Sequence, residues 1–140
     1  MTLIVDAGAL FANADPRDPH HSAVISVLDA ETEALVTSQF VAAEADYFIL
    51  RRLGIRAEAE FVRDLAVVFI TDGLTSVDIG RAHDVIKQYA DLRLGIADAS
   101  LVVLAEKWET RRILTLDERV FRAVTPLQGG SFDILPRDKN

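Results

Sequence analysis

The chain has 140 residues, half of them hydrophobic, with a net charge of −7 and no cysteine. This length fits one domain with a buried core, and the composition excludes an intrinsically disordered chain. The lack of cysteine excludes disulfides and thiolate zinc sites. The acidic balance by itself argues against nucleic-acid binding, which usually needs a positively charged surface.

The first apolar run is too short for a targeting or membrane segment. It covers residues 3–5 and is broken at once by Asp6, which does not fit a signal peptide. No stretch approaches the roughly 18 apolar residues that a membrane-spanning helix requires. We therefore expect a soluble, cytoplasmic protein.

Apolar runs of strand length alternate along the chain with segments of helical periodicity. This alternation favours βα units and a parallel sheet. In chain order, strands are predicted at 3–6, 34–37, 67–70 and 112–116, with a weaker edge strand at 132–135. Helices are predicted from Pro19 onwards and at 39–53, 55–65, 75–89 and 98–108. Ser38 or Thr37 is expected to cap the helix at 39–53, and Gly54 to end it.

Four acidic residues are predicted to lie at one end of the sheet. Ligands of open parallel sheets bind beyond the carboxyl ends of the strands, and helices that follow strands begin at that edge. Asp6 ends the first strand and Asp117 ends the fourth. Asp98 starts the helix that runs towards the fourth strand, and Glu44 lies a turn and a half into the helix after the second.

Each acid also has a structural interpretation. Asp98 could act only as an N-cap, and Asp117 only as a turn residue. Asp6 closes a buried strand, where a carboxylate is costly unless it is paired or bound to a cation. Glu44 projects from an apolar helix face, where it could be a partnered structural residue, and periodicity does not separate it from its rival Asp46.

Considered together, the acids indicate a metal site. Two carboxylates about 4 Å apart repel by roughly 4 kcal/mol at an effective dielectric constant near 20. Hard divalent cations such as Mg²⁺ and Mn²⁺ prefer oxygen ligands and would compensate this repulsion. Such ions activate water and stabilise the displacement at a phosphodiester. The sequence therefore favours phosphodiester chemistry at this edge of the sheet.

Four segments in order resemble the motifs of the PIN-domain nucleases, and most closely those of VapC-type toxins. They are residues 3–10, 41–47, 94–101 and 113–119, which contain the four acids and cover nearly the whole chain. The pair Asp98-Ala99 and the motif Thr115-x-Asp117 are the most specific. The resemblance favours Glu44 over Asp46 as the second acid.

The resemblance implies a three-layer α/β/α fold with a central parallel sheet of four to five strands, forming one domain over residues 1–140. It also implies an endoribonuclease that depends on Mg²⁺ or Mn²⁺, with RNA as substrate, a cognate antitoxin as partner and a homodimer as assembly. The implied metal ligands and catalytic residues are Asp6, Glu44, Asp98 and Asp117, with Thr115 orienting the fourth acid or the substrate. A housekeeping PIN nuclease without an antitoxin and a non-catalytic PIN-like binding module are the alternatives.

The chain departs from the family pattern at two places. The family often has a hydroxyl residue just after the first acid, where this chain has Ala7 and Gly8. The hydroxyl of Thr115, Ser38 or Ser100 could substitute, although each of these residues could instead serve only as a cap. After the fourth acid a basic residue is common, but Glu118 stands here and Arg119 follows it.

Two other acid-rich folds fit less well. A phosphoaccepting receiver domain needs a lysine near the edge with the acids, whereas Lys107 lies towards the far end of its predicted helix. A haloacid-dehalogenase-like phosphatase needs an acid two residues after Asp6, where Gly8 stands. Metal ions among the carboxylates or a local cluster of arginines could offset the acidity that argues against RNA binding. The arginine candidates, each of which could also be only a solvated end of a helix or strand, are Arg51, Arg52, Arg111, Arg112, Arg119 and Arg122.

Overall fold

Five parallel strands form the centre of the computed structural model, which describes residues 1–138. They lie in the order β3-β2-β1-β4-β5, and every neighbouring pair is parallel. Their bounds are β1 Leu3–Val5, β2 Leu35–Ser38, β3 Ile70–Asp72, β4 Arg112–Leu114 and β5 Asp133–Leu135. The central strand β1 is apolar and fully buried, as expected for a parallel strand covered on both faces. The predicted parallel α/β sheet is confirmed, with five strands.

Seven α-helices within residues 1–138 flank this sheet. They are α1 Ala7–Ala14, α2 His21–Ala30, α3 Gln39–Leu53, α4 Ile55–Val67, α5 Ser76–Gln88, α6 Ile96–Lys107 and α7 Glu118–Ala123, with a short 3₁₀ turn at Ala90–Leu92. Helix α6 packs on β1 and β2 and also contacts α3 and α5, so it is apolar on almost every side. In the described part of the chain, no helix combines the length and apolarity needed to cross a membrane.

Helices α1 and α7 were not predicted from the sequence. Both are short, with eight and six residues, and each begins directly after an acid. Asp6 directly follows β1, whereas Asp117 lies three residues beyond the end of β4, which is shorter than the predicted strand at 112–116. Asp6 caps α1 by accepting a hydrogen bond from Ala7 N, and Asp117 caps α7 by accepting one from Val120 N. A helix of two turns shows too little of the 3.6-residue period to stand out in a sequence.

Several predicted boundaries move in the structure. The third strand was placed too early, because residues 67–69 belong to the end of α4 and the turn that follows. Helix α6 begins at Ile96 with Gly95 as its N-cap, so the interpretation of Asp98 as an N-cap is wrong. Helix α2 begins at His21 rather than at Pro19. The predicted Ser38 cap is confirmed, since its hydroxyl accepts a hydrogen bond from Val41 N.

Asp72, at the end of edge strand β3, is an acid with a full set of structural partners. Its carboxylate accepts hydrogen bonds from Leu74 N at 2.9 Å, Trp108 Nε1 at 3.1 Å and Lys107 Nζ at 3.2 Å. Burial alone would raise the pKa of Asp72, but these hydrogen bonds together hold it below its usual value. Lys107 also pairs with Asp78 at 2.9 Å, so its ammonium group serves this structural cluster.

We predict that Asp72→Asn lowers the free energy of unfolding at pH 7 by about 1–3 kcal/mol, because the substitution removes a hydrogen-bonded charge. A carboxyl group with a lowered folded-state pKa stabilises the protein above its unfolded pKa, and this contribution is lost as the pH falls through the folded pKa. The difference in free energy of unfolding between the wild type and Asp72→Asn should therefore become smaller below about pH 4. Urea unfolding followed by Trp108 fluorescence at several pH values measures it, and a pH-independent deficit would contradict the assignment.

Candidate metal centre

Two neighbouring strands place the first and fourth acids at the same edge of the sheet. Strands β1 and β4 pair in register through Val5 and Leu114, so Asp6 and Thr115 are the next residues along. Thr115 Oγ1 donates a hydrogen bond to Asp6 Oδ2 at 2.7 Å and accepts one from Asp117 N at 3.0 Å. Thr115 therefore connects the carboxylate of Asp6 to the backbone of Asp117. The sequence predicted that Thr115 orients the fourth acid or the substrate, and its hydrogen bond to the first acid was not predicted.

Two helices bring the other two acids to this edge. Asp98 lies in the first turn of α6, which packs on β1, and Glu44 lies on α3, which contacts α6. Burial raises the pKa of Asp98 to about 6, assisted by the negative charges of Asp6, Asp117 and Glu44 and opposed by a backbone hydrogen bond from Gly95. Because each of these charges acts on Asp98, the four predicted carboxylates form one electrostatic cluster. We call it the acidic centre.

Two further acids of the centre are also perturbed towards the neutral form. Burial is the largest cause of the raised pKa of Asp6, and it outweighs the hydrogen bonds from Thr115 and Ala7 that favour the carboxylate. The charge of Asp117 adds to the rise. Burial and the charge of Asp6 likewise raise the pKa of Glu44. The centre therefore holds more negative charge than its surroundings stabilise.

The acidic centre has no cationic partner among residues 1–138, where no lysine, arginine or N-terminus forms an ion pair with any of its four acids. Glu31 shows the opposite arrangement, since its hydrogen bonds from Arg112, the closest at 2.6 Å, hold its pKa below the usual range. An oxygen-only set of donors with uncompensated negative charge fits a hard divalent cation.

The carboxylates do not converge as a closed cage. Within the described residues, no group of three or more acidic or histidine side chains is arranged to hold one ion by itself. Mg²⁺ does not require such a cage, because it commonly binds through one or two carboxylates and retains several water molecules. The donor set therefore fits a partly hydrated ion, with coordination positions left for water and substrate.

The structure separates Glu44 from its rival Asp46. Glu44 interacts with Asp6 in the acidic centre, whereas Asp46 contacts Glu58 of α4. The hydrogen bond with Asp46 is the largest cause of the raised pKa of Glu58. Asp46 is thus an acid of the same helix that lies outside the centre, and it supplies a matched control for Glu44.

The alternative hydroxyls have different roles. Ser38 Oγ and Ser100 Oγ are buried and lie 2.7 Å apart. Ser100 donates a hydrogen bond to Ala97 O, and Ser38 caps α3. This pair joins the starts of α3 and α6, the helices that carry Glu44 and Asp98. Thr115 is the hydroxyl residue that contacts an acid of the centre, so Ala7 and Gly8 leave no gap in the hydrogen bonding of Asp6.

A hollow that contains two aromatic rings and one arginine adjoins the acidic centre. It has a volume of about 330 Å³ and is lined by Glu44 together with Phe11, Phe48 and Arg52. Phe11 was not a candidate, because α1 was not predicted. Phe48 and Arg52 are four residues apart on α3, a spacing that places them on one helix face and could have indicated the pair.

The comparison with known proteins agrees with this architecture. The sequence profile of the PIN domain family matches residues 3–125. Ribonuclease VapC26 of Mycobacterium tuberculosis (strain ATCC 25618 / H37Rv) is 42% identical over 135 residues, which cover 96% of this chain and 100% of that protein.

Two solved structures share the fold at low sequence identity. VapC20 of Mycobacterium tuberculosis, described as a Sarcin-Ricin loop cleaving toxin, superimposes with a TM-score of 0.78 and 18% identity, covering 84% of this chain and 92% of that one. VapBC2 from Rickettsia felis, bound to a DNA fragment from its promoter, superimposes with a TM-score of 0.67 and 10% identity. This match covers 89% of this chain and 93% of that one. With the profile match and the 42% identity, these findings show that the chain belongs to the PIN-domain family, among the VapC proteins.

Proposed function

We propose that this chain is an endoribonuclease dependent on Mg²⁺ or Mn²⁺, and the toxin of a VapBC-type toxin–antitoxin pair. The observation that carries the proposal is the acidic centre, in which four carboxylates share one edge of the sheet without a cationic partner among residues 1–138. The 42% identity with a protein named as a ribonuclease supports the choice of RNA as substrate.

In this proposal Asp6, Glu44, Asp98 and Asp117 would provide the oxygen ligands of the metal, some of them through its retained water molecules. The bound ion would supply an activated water molecule and stabilise charge on the transferring phosphate. Thr115 acts as a positioning residue, because its hydroxyl fixes one oxygen of Asp6 while Ala7 N fixes the other at 2.7 Å. A backbone hydrogen bond from Gly95 also favours the ionised form of Asp98. The carboxylate of Asp6 is thereby oriented by the fold before any ligand arrives.

The first test is the loss of cleavage when the acidic centre is altered. Asp6→Asn and Asp98→Asn should each reduce Mg²⁺-dependent RNA cleavage by at least about a hundredfold, because an amide is a poorer metal ligand than a carboxylate. Cleavage of labelled RNA by the purified variants measures this, with the circular dichroism spectrum showing that the fold is kept. Glu44→Gln should behave in the same way.

Asp46→Asn is the matched control, since it changes an acid on the same helix that lies outside the centre. It should retain cleavage close to that of the wild type. Full activity of Asp98→Asn on an RNA that the wild type cleaves would exclude the proposed site. Equal losses in Glu44→Gln and Asp46→Asn would point to helix α3 rather than to the acidic centre.

The second test uses the linkage between pKa and stability. A carboxyl group with a raised folded-state pKa binds more protons in the folded state than in the unfolded state. Asp98 therefore makes the metal-free protein less stable as the pH rises from about 4 through about 6. In EDTA above pH 7, Asp98→Asn should raise the free energy of unfolding by about 1–3 kcal/mol, a gain that should vanish below pH 4.

Mg²⁺ should reverse this order of stability. An ion that binds only the folded wild type stabilises it by about 3 kcal/mol at a hundred times its dissociation constant, and the variant should gain much less. Thermal unfolding of both proteins with EDTA and with Mg²⁺ measures the two shifts. Equal shifts with Mg²⁺ would mean that Asp98 is not a ligand.

The antitoxin in this proposal approaches the same acidic centre. An arginine or lysine from an antitoxin tail would pair with carboxylates that lack a cation in the free chain. Replacing that basic residue should weaken inhibition of RNA cleavage, as measured by titrating the antitoxin against a fixed amount of enzyme. Inhibition that is unchanged by the replacement would contradict this mode of binding. The proposal also includes a homodimer as the assembly.

A further inference from the structure

The structure sorts the arginines that were candidates for contact with RNA. Three of them have structural partners. Arg111 donates hydrogen bonds to two backbone carbonyl groups. Arg112 forms an ion pair with Glu31, and Arg122 forms one with Asp138. Among residues 1–138, the other three form no ion pair, and these are Arg51, Arg52 and Arg119. Of these three, Arg52 lines the hollow beside Glu44.

Arg52 is held in this hollow by aromatic rings rather than by an acid. Its guanidinium carbon lies 5.1 Å from the ring centroid of Phe48 and 5.6 Å from that of Phe11. Such contacts restrain a guanidinium while leaving its charge available to an anion. The hollow also contains Asp18, whose Oδ1 accepts a hydrogen bond from His20 N at 2.8 Å in a local turn. We call this site the Arg52 hollow.

The position of the Arg52 hollow suits a substrate that crosses the acidic centre. Glu44 belongs to both sites, so a strand whose phosphate lies at the acids can place a neighbouring nucleotide in the hollow. The acidic centre repels the remaining phosphates, and a cation directly beside it offsets this repulsion. The side chain of Phe48 is exposed by 39%, which leaves apolar surface for a base.

We propose that the Arg52 hollow binds an unpaired nucleotide of the RNA strand next to the cleaved phosphate. Arg52 contacts a phosphate, and its guanidinium together with the Phe48 ring supports an unstacked base. A base within a duplex is stacked between its neighbours and does not reach such a surface. The inference rests on the proposed function and adds to it two residues, Arg52 and Phe48, that contact the nucleotide beside the cleaved phosphate.

The test measures binding of a fluorescent single-stranded RNA of about ten nucleotides, with Asp98→Asn present in every protein to prevent cleavage. Adding Arg52→Gln should weaken binding about tenfold and lower the slope of log affinity against log salt by about 0.7, the value for one lost contact with a single-strand phosphate. Phe48→Leu should also weaken binding about tenfold, but without changing the salt slope.

Arg51→Gln is the matched control. It makes the same change of charge at the adjacent position, where the guanidinium lies 5.3 Å from the Tyr47 ring and does not line the Arg52 hollow. Its RNA affinity should remain within about twofold of the parent. Arg52→Lys should keep the salt slope of the parent protein but not its full affinity, because lysine retains the positive charge and lacks the planar guanidinium group.

Equal affinities of the Arg52→Gln and Arg51→Gln proteins would overturn the proposal, as would equally tight binding of a duplex of the same sequence. A hollow that serves a protein partner instead would leave RNA affinity unchanged in both variants, which also overturns it. Failure of the proposed function is a separate result, because the wild type would then bind the single strand through Arg52 without cleaving it in Mg²⁺.

Discussion

Repulsion among four carboxylates at one edge of the sheet is the constraint on which the rest of the site depends. Burial and the charges of its neighbours raise the pKa of Asp98 to about 6, and similar causes raise the pKa values of Asp6 and Glu44. The described residues contribute no ion-paired cation to relieve this charge. Under the proposed function, a divalent ion at this edge would resolve the conflict and would also provide the chemistry of phosphodiester cleavage.

The fold tolerates this conflict because the rest of the structure holds the acids in place. Buried β1 pairs with β4, which aligns Asp6 with Thr115, while the Ser38–Ser100 pair joins the two helices that supply the other acids. Asp72 shows how the same fold treats a purely structural acid. Three hydrogen bonds lower the pKa of Asp72. Raising the pH therefore increases the contribution of Asp72 to the stability of the fold, whereas it decreases the contribution of Asp98.

The sequence predicted the parts of this arrangement that follow from local patterns. Apolar runs predicted β1, β2, β4 and β5, whereas the run at 67–70 lies mostly at the end of α4 and in the turn before the exposed edge strand β3. The acid directly after the first strand, Asp6, was placed at the correct edge. The choice of Glu44 over Asp46 needed the family resemblance, because both lie on α3 and periodicity does not separate them. Helices α1 and α7 were too short to predict. The contact of Phe11 with Arg52 joins residues 41 positions apart, so it depends on tertiary packing.

The most direct test of the account is the titration of the carboxyl carbon of Asp98 by ¹³C NMR, with and without Mg²⁺, using Asp98→Asn to assign the signal. In EDTA the account predicts a pKa near 6. With saturating Mg²⁺ the carboxylate should remain ionised to a clearly lower pH, because protonation must then compete with the metal. An Asp98 signal that titrates at the same pH in both conditions would contradict the claim that these carboxylates are gathered to bind a metal ion.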